Sequence, residues 1–231
     1  MNYSQWQPAT FLVRQNRFSA LVRLSEDAPP IPVHVKNTGR LGELLLPGAH
    51  VYLTESQNPA RKTRFDLIAV EKEGRLFNID SLAPNTVVAE ALAQGRIAGI
   101  GPVSFFRREK TFGQSRFDLY YEASHRRGFI DVKGVTLEKN GLALFPDAPT
   151  ARGTKHLLEL MVARQAGYEA TVLFLLQFQG ASAFSPHADR DPIFTDILKK
   201  ASKNGVTILS YDCHVLPQSL TMASPIPVLL P

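Results

Sequence analysis

The segment Gln114–Leu137 constrains the fold more than any other part of the chain. It holds two runs of alternating apolar residues on either side of a short basic turn. Side chains at positions i and i+2 of a strand lie on the same face of a sheet. The pattern therefore predicts a β-hairpin, with Asp131 and Lys133 together on one face of its second strand. Asp118 lies on the first strand, and pairing of the two strands would bring it beside them.

Two carboxylates and an ammonium group at one edge of a sheet can hold a divalent cation and activate a water molecule for phosphodiester hydrolysis. An Asp, a spacer and then Asp/Glu-x-Lys is the signature of the PD-(D/E)xK nuclease superfamily. On this hypothesis Asp118 and Asp131 ligate Mg²⁺ (or Mn²⁺), helped by the backbone carbonyl of Val132. Lys133 then positions or deprotonates the attacking water, or stabilises charge on the phosphate. We expect the two carboxylates to lie roughly 5 Å apart or less. The alternative is a surface ion pair, since Asp-x-Lys occurs by chance in many chains.

The first 80 residues contain short alternating runs and frequent turn signals, with no convincing long helix. Strands are predicted at residues 10–24, 31–35, 50–54, 65–72 and 75–80. A closed barrel pairs such a set without exposed edges, and barrels of the OB type have this size and often bind oligonucleotides. We therefore expect residues 1–82 to form a small OB-like β-barrel that binds nucleic acid.

From residue 83 onward, helices alternate with strands. Asn85 or Thr86 is suited to cap a first helix. Ala170–Gln177 is a nearly continuous apolar run, typical of a strand covered on both faces. The predicted order is helix, three strands, helix, strand, helix, strand, and the proline-rich tail 217–231 is expected to be irregular. This order matches a PD-(D/E)xK restriction-endonuclease-like α/β domain over residues 83–231, so the predicted fold class is α+β with a mixed sheet.

Two further residues are candidate contributors to the site. Glu90 lies on the helix before the three strands, where the superfamily often supplies another acid, although a solvated helix face explains it equally well. Gln177 ends the buried strand and is expected to face the same edge of the sheet. A set of basic residues flanks the site and is suited to phosphate contacts, with a solvated sheet edge as the alternative. These residues are Arg107, Arg108, Lys110, Arg116, Arg126 and Arg127.

The formal net charge of +5 is compatible with a nucleic-acid partner, although plain solubility explains it as well. The single cysteine, Cys213, excludes an intrachain disulfide and fits a reducing compartment. Its neighbour His214 would face the other way on a strand, which argues against a Cys–His nucleophile pair. No signal peptide is visible, and the apolar run Ala170 to Leu176 is too short to span a bilayer. We therefore expect a cytoplasmic protein with no membrane partner.

Five blocks of sequence follow one another along most of the chain, and the last two are too specific to be explained by chance. They are Asn37-Thr38-Gly39, Asn85-Thr86, Ser115-Arg116-Phe117-Asp118, Asp131-Val132-Lys133-Gly134-Val135-Thr136-Leu137, and Phe145-Pro146-Asp147-Ala148 with Arg152-Gly153-Thr154-Lys155-His156-Leu157. In these blocks the chain resembles the sugar fermentation stimulation protein A family of bacteria and archaea. The resemblance implies an OB-like domain followed by a PD-(D/E)xK-like domain. It also implies DNA binding without sequence preference, an influence on sugar (maltose) utilisation, and a nuclease function inferred from the fold.

The chain departs from this family at three positions. Asp131 stands where the family's Glu-Val-Lys has glutamate, which shortens a ligand but keeps its charge. Ala151 replaces the glutamate of Thr-Glu-Arg-Gly, so a carboxylate that is often present is missing and a weaker site is expected. Glu90 is aligned with the usual asparagine of the boundary helix.

Three functional hypotheses follow. The first is a DNA-binding protein with a metal-dependent nuclease site at Asp118, Asp131 and Lys133. The second is a non-catalytic DNA-binding regulator of sugar (maltose) metabolism that uses both domains as a basic clamp. The third is a protein that processes RNA, because an OB-like domain does not distinguish the two polymers by itself. The sequence does not indicate an oligomeric state.

Overall fold

The computed structural model describes residues 1–56 and 60–231, and the N-terminal part of these residues forms six strands. The strands are β1 (Trp6–Asn16), β2 (Ser19–Arg23), β3 (Ile31–Val35), β4 (His50–Glu55), β5 (Phe65–Lys72) and β6 (Arg75–Asn78). They follow the order β3-β2-β1-β4-β5-β6, and an additional parallel pairing of β3 with β5 closes β1 to β5 into a barrel. The predicted OB-like barrel is confirmed.

The prediction of a single strand over residues 10–24 is wrong. The structure has two strands there, β1 and β2, joined by a tight turn at Arg17 and Phe18. Asn16 pairs with Ser19 across this turn. The prediction fails because the alternation of apolar residues runs through the turn, where neither Gly nor Pro marks the reversal. The hairpin leaves Arg17 and Phe18 exposed at its tip.

The rest of the chain folds into a domain with a mixed sheet, which is also confirmed. Its helices are α1 (Ala83–Ala93), α2 (Ala151–Gln165) and α3 (Pro192–Lys203). Its strands are β7 (Phe105–Phe112), β8 (Ser115–Ala123), β9 (Arg126–Val135), β10 (Leu137–Lys139), β11 (Leu142–Phe145), β12 (Glu169–Leu176), β13 (Ala183–Pro186), β14 (Thr207–Leu216) and β15 (Ser219–Pro225). The main sheet has the order β15-β14-β12-β9-β8-β7, and β12 runs parallel to both β9 and β14. The short strands form a second sheet in the order β10-β11-β13.

The starts of the helices follow local side-chain chemistry. The side chain of Thr150 caps α2 by accepting a hydrogen bond from the backbone N–H of Gly153. The side chain of Asp191 caps α3 in the same way, with the N–H of Phe194 as donor. Helix α1 differs from the prediction, because it begins at Ala83 with Pro84 in its first turn. Asn85 therefore lies inside α1 and does not cap it; its side chain bonds to β8 instead. None of the helices in the described part of the chain is both long and apolar enough to cross a bilayer.

The main sheet carries an apolar core on each face. Ile130 and Leu173 pack in the core that includes α1, whereas Phe129 and Val172 pack in the core that includes α2. Burial on both faces explains the nearly continuous apolar sequence of β12. A charged side chain on the central strand β9 is consequently removed from water, which costs free energy unless the charge is paired.

The C-terminal tail is more regular than predicted. Residues 219–225 form β15, which pairs antiparallel with β14 and places Leu220 opposite Val215. The strand lies at the edge of the sheet, where Pro225 at its end is tolerated because an edge strand needs fewer ladder hydrogen bonds. The tail forms a strand because it pairs with the edge of β14, a contact that its own sequence does not reveal. The prediction of an irregular tail, which relied on its proline content, is therefore wrong.

The two domains meet at the end of β12. Nε2 of the buried Gln177 donates hydrogen bonds to Oδ1 of Asn78 at 2.9 Å and to the carbonyl of Asp80 at 3.0 Å. Next to it, Phe178 stacks on Phe77 of the barrel, with ring centroids 4.7 Å apart. A cleft of about 520 Å³ lies between the barrel and the second domain, beside this contact.

Candidate active site

The predicted hairpin is present, and Asp118 lies where its two strands stop pairing. The β8–β9 register runs as far as Leu119 opposite Ile130. Beyond this point the backbone N–H of Val132 donates to Oδ2 of Asp118 at 2.7 Å, so a side chain takes the place of a strand partner. The other oxygen, Oδ1, accepts a hydrogen bond from Nδ2 of Asn85 on α1 at 2.7 Å. Both oxygens of this carboxylate are thus oriented by the fold.

The regular alternation of strand side chains is broken at Asp118. Phe117 packs in the core on the α2 side and Leu119 in the core on the α1 side, although residues two apart normally share a face. On the neighbouring strand β7, Glu109 has a φ of 56°, a left-handed conformation that is uncommon outside glycine. At this break in the alternation, Asp118 bonds to Asn85 of α1 and to the N–H of Val132 on β9.

Asp131 is a fully buried carboxylate with a partner at each oxygen. Its exposed fraction is 0%, Oδ2 lies 2.7 Å from Nζ of Lys133, and Oδ1 lies 2.7 Å from Nδ1 of His156 on α2. Because a carboxylate can only accept, Nδ1 of His156 carries the proton. Burial acts to raise the pKa of Asp131, but the charge of Lys133 and the hydrogen bond from His156 outweigh it, so the net pKa is lowered. Asp131 is therefore ionised at neutral pH.

The pKa of Asp118 is shifted in the opposite direction. Burial is the largest cause of the rise, and the negative charge of Asp131 adds to it. The N–H of Val132, the charge of Lys133 and the amide of Asn85 offset only part of this rise. The two carboxylates therefore lie within electrostatic reach of each other. A cation between them would relieve their repulsion and favour the ionised form of both.

The donor atoms fit a hard divalent cation. Carboxylate oxygens of Asp118 and Asp131 are the ligands that Mg²⁺, Mn²⁺ and Ca²⁺ prefer. Oδ2 of Asp131 is buried and accepts no regular hydrogen bond from the described residues, although the Lys133 ammonium lies 2.7 Å away, so it retains lone pairs for a cation. Across residues 1–56 and 60–231, no three His, Cys, Asp or Glu side chains converge as ligands. Backbone oxygens and water would therefore complete the shell, as they commonly do for Mg²⁺.

Glu90 is not brought to the two aspartates. Its Oε2 forms an ion pair with the amino group of Met1 at 2.6 Å. The residue of α1 that contacts the site is Asn85. The contact of α1 with Asp118 is an amide hydrogen bond rather than a third acid.

Gln177 has a structural place in the fold. Its amide nitrogen joins the two domains, as described above. Its Oε1 lies so close to Gly134 that a Cβ built on that glycine would come within 2.6 Å of it. Gln177 therefore packs against the residue that follows Lys133, without a hydrogen bond to either aspartate in the described structure.

Four of the six basic residues predicted to contact phosphate lie on β7 and β8, close to Asp118 in the strand register. Arg107, Arg108 and Lys110 are on β7, the edge strand that pairs with β8 around Asp118, and Arg116 is on β8 itself. Arg107, Arg108 and Arg116 are exposed. Together they give this end of the sheet a basic rim.

The other two basic residues lie at the far end of the hairpin. Arg126 donates to two backbone carbonyls of the loop after α1 and pairs with Glu169 at 3.0 Å. The guanidinium of Arg127 lies 4.4 Å from the ring centroid of Tyr168. Arg126 precedes Asp131 by five residues (131 − 126) on β9, which is about 16 Å at the rise of a strand. The structure therefore gives Arg126 a local structural contact and places both residues away from the site.

Sequence reasoning missed His156 and Asn85 as members of the site. His156 is one of six scattered histidines without metal-ligand spacing, and Asn85 has the pattern of a helix cap. Both stand in the blocks that carry the family resemblance, which is the signal that could have found them. Their contacts depend on how α1 and α2 pack on the sheet, and no local pattern encodes that.

Cys213 and His214 do not form a nucleophile pair. Cys213 is fully buried, and burial together with the charge of Asp212 raises the pKa of its thiol. His214 is exposed. The two side chains lie on opposite faces of β14, as the alternation of strand residues requires.

Two family models match the chain. The model described as the SfsA N-terminal OB domain matches residues 12–79, and the model described as the Sugar fermentation stimulation protein RE domain matches residues 82–219. The second match includes the strands that carry Asp118, Asp131 and Lys133, and the helices that carry Asn85 and His156.

Several curated relatives are similar over nearly the whole chain, and each is described as a sugar fermentation stimulation protein homolog. The relative from Clostridium novyi (strain NT) is 46% identical over 223 residues, which is 96% of both chains. One from Clostridium botulinum (strain Hall) is 48% identical over 95% of both chains. One from Desulfitobacterium hafniense (strain Y51) is 47% identical over 95% of this chain and 94% of its own.

A solved structure has the same fold. It is described as the structure of Pyrococcus furiosus SfsA in complex with Ca²⁺. The two proteins superpose with a TM-score of 0.88 at 29% sequence identity, over 99% of this chain and 98% of the other. The similarity therefore extends across both domains.

Proposed function

This chain belongs to the sugar fermentation stimulation protein family, and from that membership and the geometry at β9 we propose that it is a metal-dependent nuclease of the cytoplasm. It binds DNA, and RNA as an alternative substrate, without sequence preference. The observation that carries the proposal is the buried carboxylate of Asp131, 2.7 Å from the ammonium of Lys133. Such an arrangement is a poor source of stability, because burying two charges costs several kcal/mol and their attraction offsets only part of that cost.

A divalent cation fits this site on the strength of its donor atoms. The relative from Pyrococcus furiosus is described in complex with Ca²⁺. In this chain Asp118 and Asp131 would hold the ion, and Mg²⁺ or Mn²⁺ is the proposed working metal, since both take carboxylate oxygens. When bound, the ion supplies Lewis-acid stabilisation to the phosphate that is being cleaved.

The protein side chains hold the two carboxylates in place and contact the phosphate. His156 holds Asp131 from the α2 side, and the N–H of Val132 holds Asp118, so neither carboxylate needs to reorganise when substrate arrives. Lys133 is the residue whose ammonium can turn from Asp131 towards the phosphate, where it orients the attacking water and stabilises developing negative charge.

The basic rim on β7 and β8 supports nucleic acid as the substrate. Arg107, Arg108 and Arg116 are exposed next to Asp118 and can contact phosphates on either side of the bond to be cleaved. Contacts of this kind read no bases, so binding is expected to be tolerant of sequence and sensitive to salt.

One observation favours a second candidate function, a non-catalytic DNA-binding regulator of sugar (maltose) metabolism. Both oxygens of Asp131 already have partners within the protein, namely Lys133 and His156. In addition, Ala151 at the start of α2 supplies no carboxylate. A chain that binds nucleic acid but has lost its metal would keep the same architecture.

The two functions are separated by incubating the purified protein with single-stranded, double-stranded and branched DNA and with RNA. Each substrate is tested with Mg²⁺, with Mn²⁺ and with EDTA, beside the Lys133→Ala variant and a matched control, Lys203→Ala, at the exposed end of α3. The nuclease proposal expects cleavage that needs metal, is lost in Lys133→Ala and persists in Lys203→Ala. Binding of every substrate without cleavage by the wild type would leave the regulator as the function.

A further inference from the structure

The turn between β1 and β2 presents an exposed aromatic ring to solvent. Phe18 is 52% exposed at the tip of the hairpin. Its ring is supported from below by His34 of β3, with the ring centroids 6.5 Å apart and the planes within 14° of parallel. An exposed, flat and supported ring on a barrel is the feature on which the bases of a single strand stack.

Arg17 precedes Phe18 in this turn, and a third arginine, Arg14, ties the backbone of Arg40 to the same turn. Nη1 of Arg14 donates to the carbonyl of Arg40 and Nη2 to the carbonyl of Arg17, each at 2.7 Å. The same guanidinium also bonds to the carbonyls of Asn37 and Gly39 at 2.9 and 2.7 Å. Arg14 therefore ties the loop of residues 37–40 to the β1–β2 turn, although the two are far apart in the sequence.

The side chains held in this way are available to a ligand. Arg17 and Arg40 are exposed, and neither guanidinium has an ion-pair partner within the described part of the chain. Like charges on neighbouring loops repel each other, so holding them together costs free energy that a polyanion would recover. Among the residues that the structure describes, Asp147 is the only acid that lines the adjoining cleft, and it lies against Gly39.

Both exposed arginines also line the cleft between the domains. Arg17 and Arg40 line one wall, and residues 134–137 line the other. Those residues follow Lys133 directly on β9 and its continuation, so the cleft leads from the aromatic turn to the catalytic strand. The cleft volume of about 520 Å³ lies in the range of ordinary ligand sites.

We propose that Phe18, Arg17 and Arg40 form a binding site for single-stranded nucleic acid, from which the strand enters the interdomain cleft towards Asp131 and Lys133. A base stacks on Phe18, and the two arginines contact the flanking phosphates. In a duplex the base faces are stacked on one another and cannot reach the ring, so the site selects unpaired strands or frayed ends. This inference rests on the proposed nuclease function for the direction of the strand, but the binding site itself can be tested without cleavage.

The test is fluorescence polarisation in EDTA with a labelled oligothymidylate, its ribonucleotide counterpart and a G·C-rich duplex of equal length, whose ends fray little. The variants are Phe18→Ala, Phe18→Tyr and the double variant Arg17→Ala/Arg40→Ala. The matched aromatic control is Trp6→Leu, a 41% exposed ring at the opposite end of β1. Circular dichroism shows that each variant is folded before its affinity is compared.

Phe18→Ala is expected to weaken binding of the single strand about tenfold or more while leaving duplex binding unchanged, because one stacked base is lost. Phe18→Tyr and Trp6→Leu are expected to bind like the wild type. The double arginine variant is expected to weaken single-strand binding and to lower its salt dependence by about two phosphate contacts. The ribonucleotide arm reports which polymer the site prefers.

Wild-type affinity for the single strand in both Phe18→Ala and the double arginine variant would overturn the inference. So would an equal loss of single-strand and duplex affinity on Phe18→Ala. The proposed nuclease function fails separately, if Lys133→Ala cleaves as well as the wild type while Phe18→Ala still shows its selective binding defect.

Discussion

His156 on α2 donates its Nδ1–H to Oδ1 of Asp131 on β9 at 2.7 Å, and both side chains are buried. This contact fastens α2 to β9 and compensates part of the cost of burying a carboxylate. It also leaves the second oxygen of Asp131 turned towards Lys133. His156 thus orients Asp131 from the α2 side without having to contact a bound ligand.

Replacing His156 with alanine is expected to lower the free energy of unfolding by about 2 kcal/mol, since a hydrogen bond to a buried charged group is lost. Urea denaturation followed by circular dichroism measures this change. His50→Ala, at an exposed histidine of the barrel, is the matched control and is expected to leave stability nearly unchanged. If both variants unfold at the same urea concentration as the wild type, His156 does not hold Asp131 in solution.

Asp118→Asn is expected to abolish cleavage and yet to raise the free energy of unfolding at neutral pH. The folded-state pKa of Asp118 is raised, so its contribution to stability is complete below the unfolded-state pKa and is lost as the pH rises through the folded-state pKa. Asparagine cannot ionise, so the variant gains stability relative to the wild type above that range and gains none in acid. Urea denaturation at neutral and at acidic pH measures the difference. A variant that is less stable than the wild type at neutral pH would contradict this account of Asp118.

Ala151→Glu is expected to stabilise the protein by about 0.5 kcal/mol. Helix α2 has no acidic residue in its first turn, and a negative charge there interacts favourably with the positive end of the helix dipole. Thermal or urea denaturation at low salt measures the gain, and Ala151→Gln is the uncharged control. An equal gain in the two variants would show that the charge is not responsible.

The six basic residues are expected to separate into two groups. Arg108→Ala and Arg116→Ala should each weaken nucleic-acid binding and lower the slope of log Kd against log salt concentration by about 1. Arg126→Ala should leave that slope unchanged and lower stability instead, because its guanidinium bonds to Glu169 and to two backbone carbonyls. Titrations at several salt concentrations measure the slopes. Equal slopes for all three variants would show that no basic rim is centred on Asp118.

The sequence predicts the hairpin and its same-face pair well, because both depend on local periodicity. Alternating residues place Asp131 and Lys133 on one side of β9, and the structure joins them in an ion pair. The barrel is predictable for the same reason, since short alternating runs with frequent turns have few other ways to pair all their edges.

What the sequence could not predict depends on contacts between distant elements. The break in alternation at Asp118 places Phe117 and Leu119 in different cores, and it lies opposite the left-handed Glu109 of the neighbouring strand. How α1 lies on the sheet decides that Asn85, and not Glu90, bonds to Asp118. Glu90 forms an ion pair with the amino group of Met1 instead. Neither relation leaves a periodic signal in the chain.

The most direct test of the account is a single-turnover cleavage assay with a labelled single strand and saturating Mn²⁺, comparing the wild type with Lys133→Ala and Lys203→Ala. Removal of a group that takes part in proton transfer typically costs about 10²–10⁴-fold in rate. We expect a loss of about 100-fold or more for Lys133→Ala, wild-type rates for Lys203→Ala, and no cleavage by any of the proteins in EDTA. Equal rates for Lys133→Ala and the wild type, or no cleavage by the wild type, would contradict the assignment of Asp118, Asp131 and Lys133 as a nuclease site.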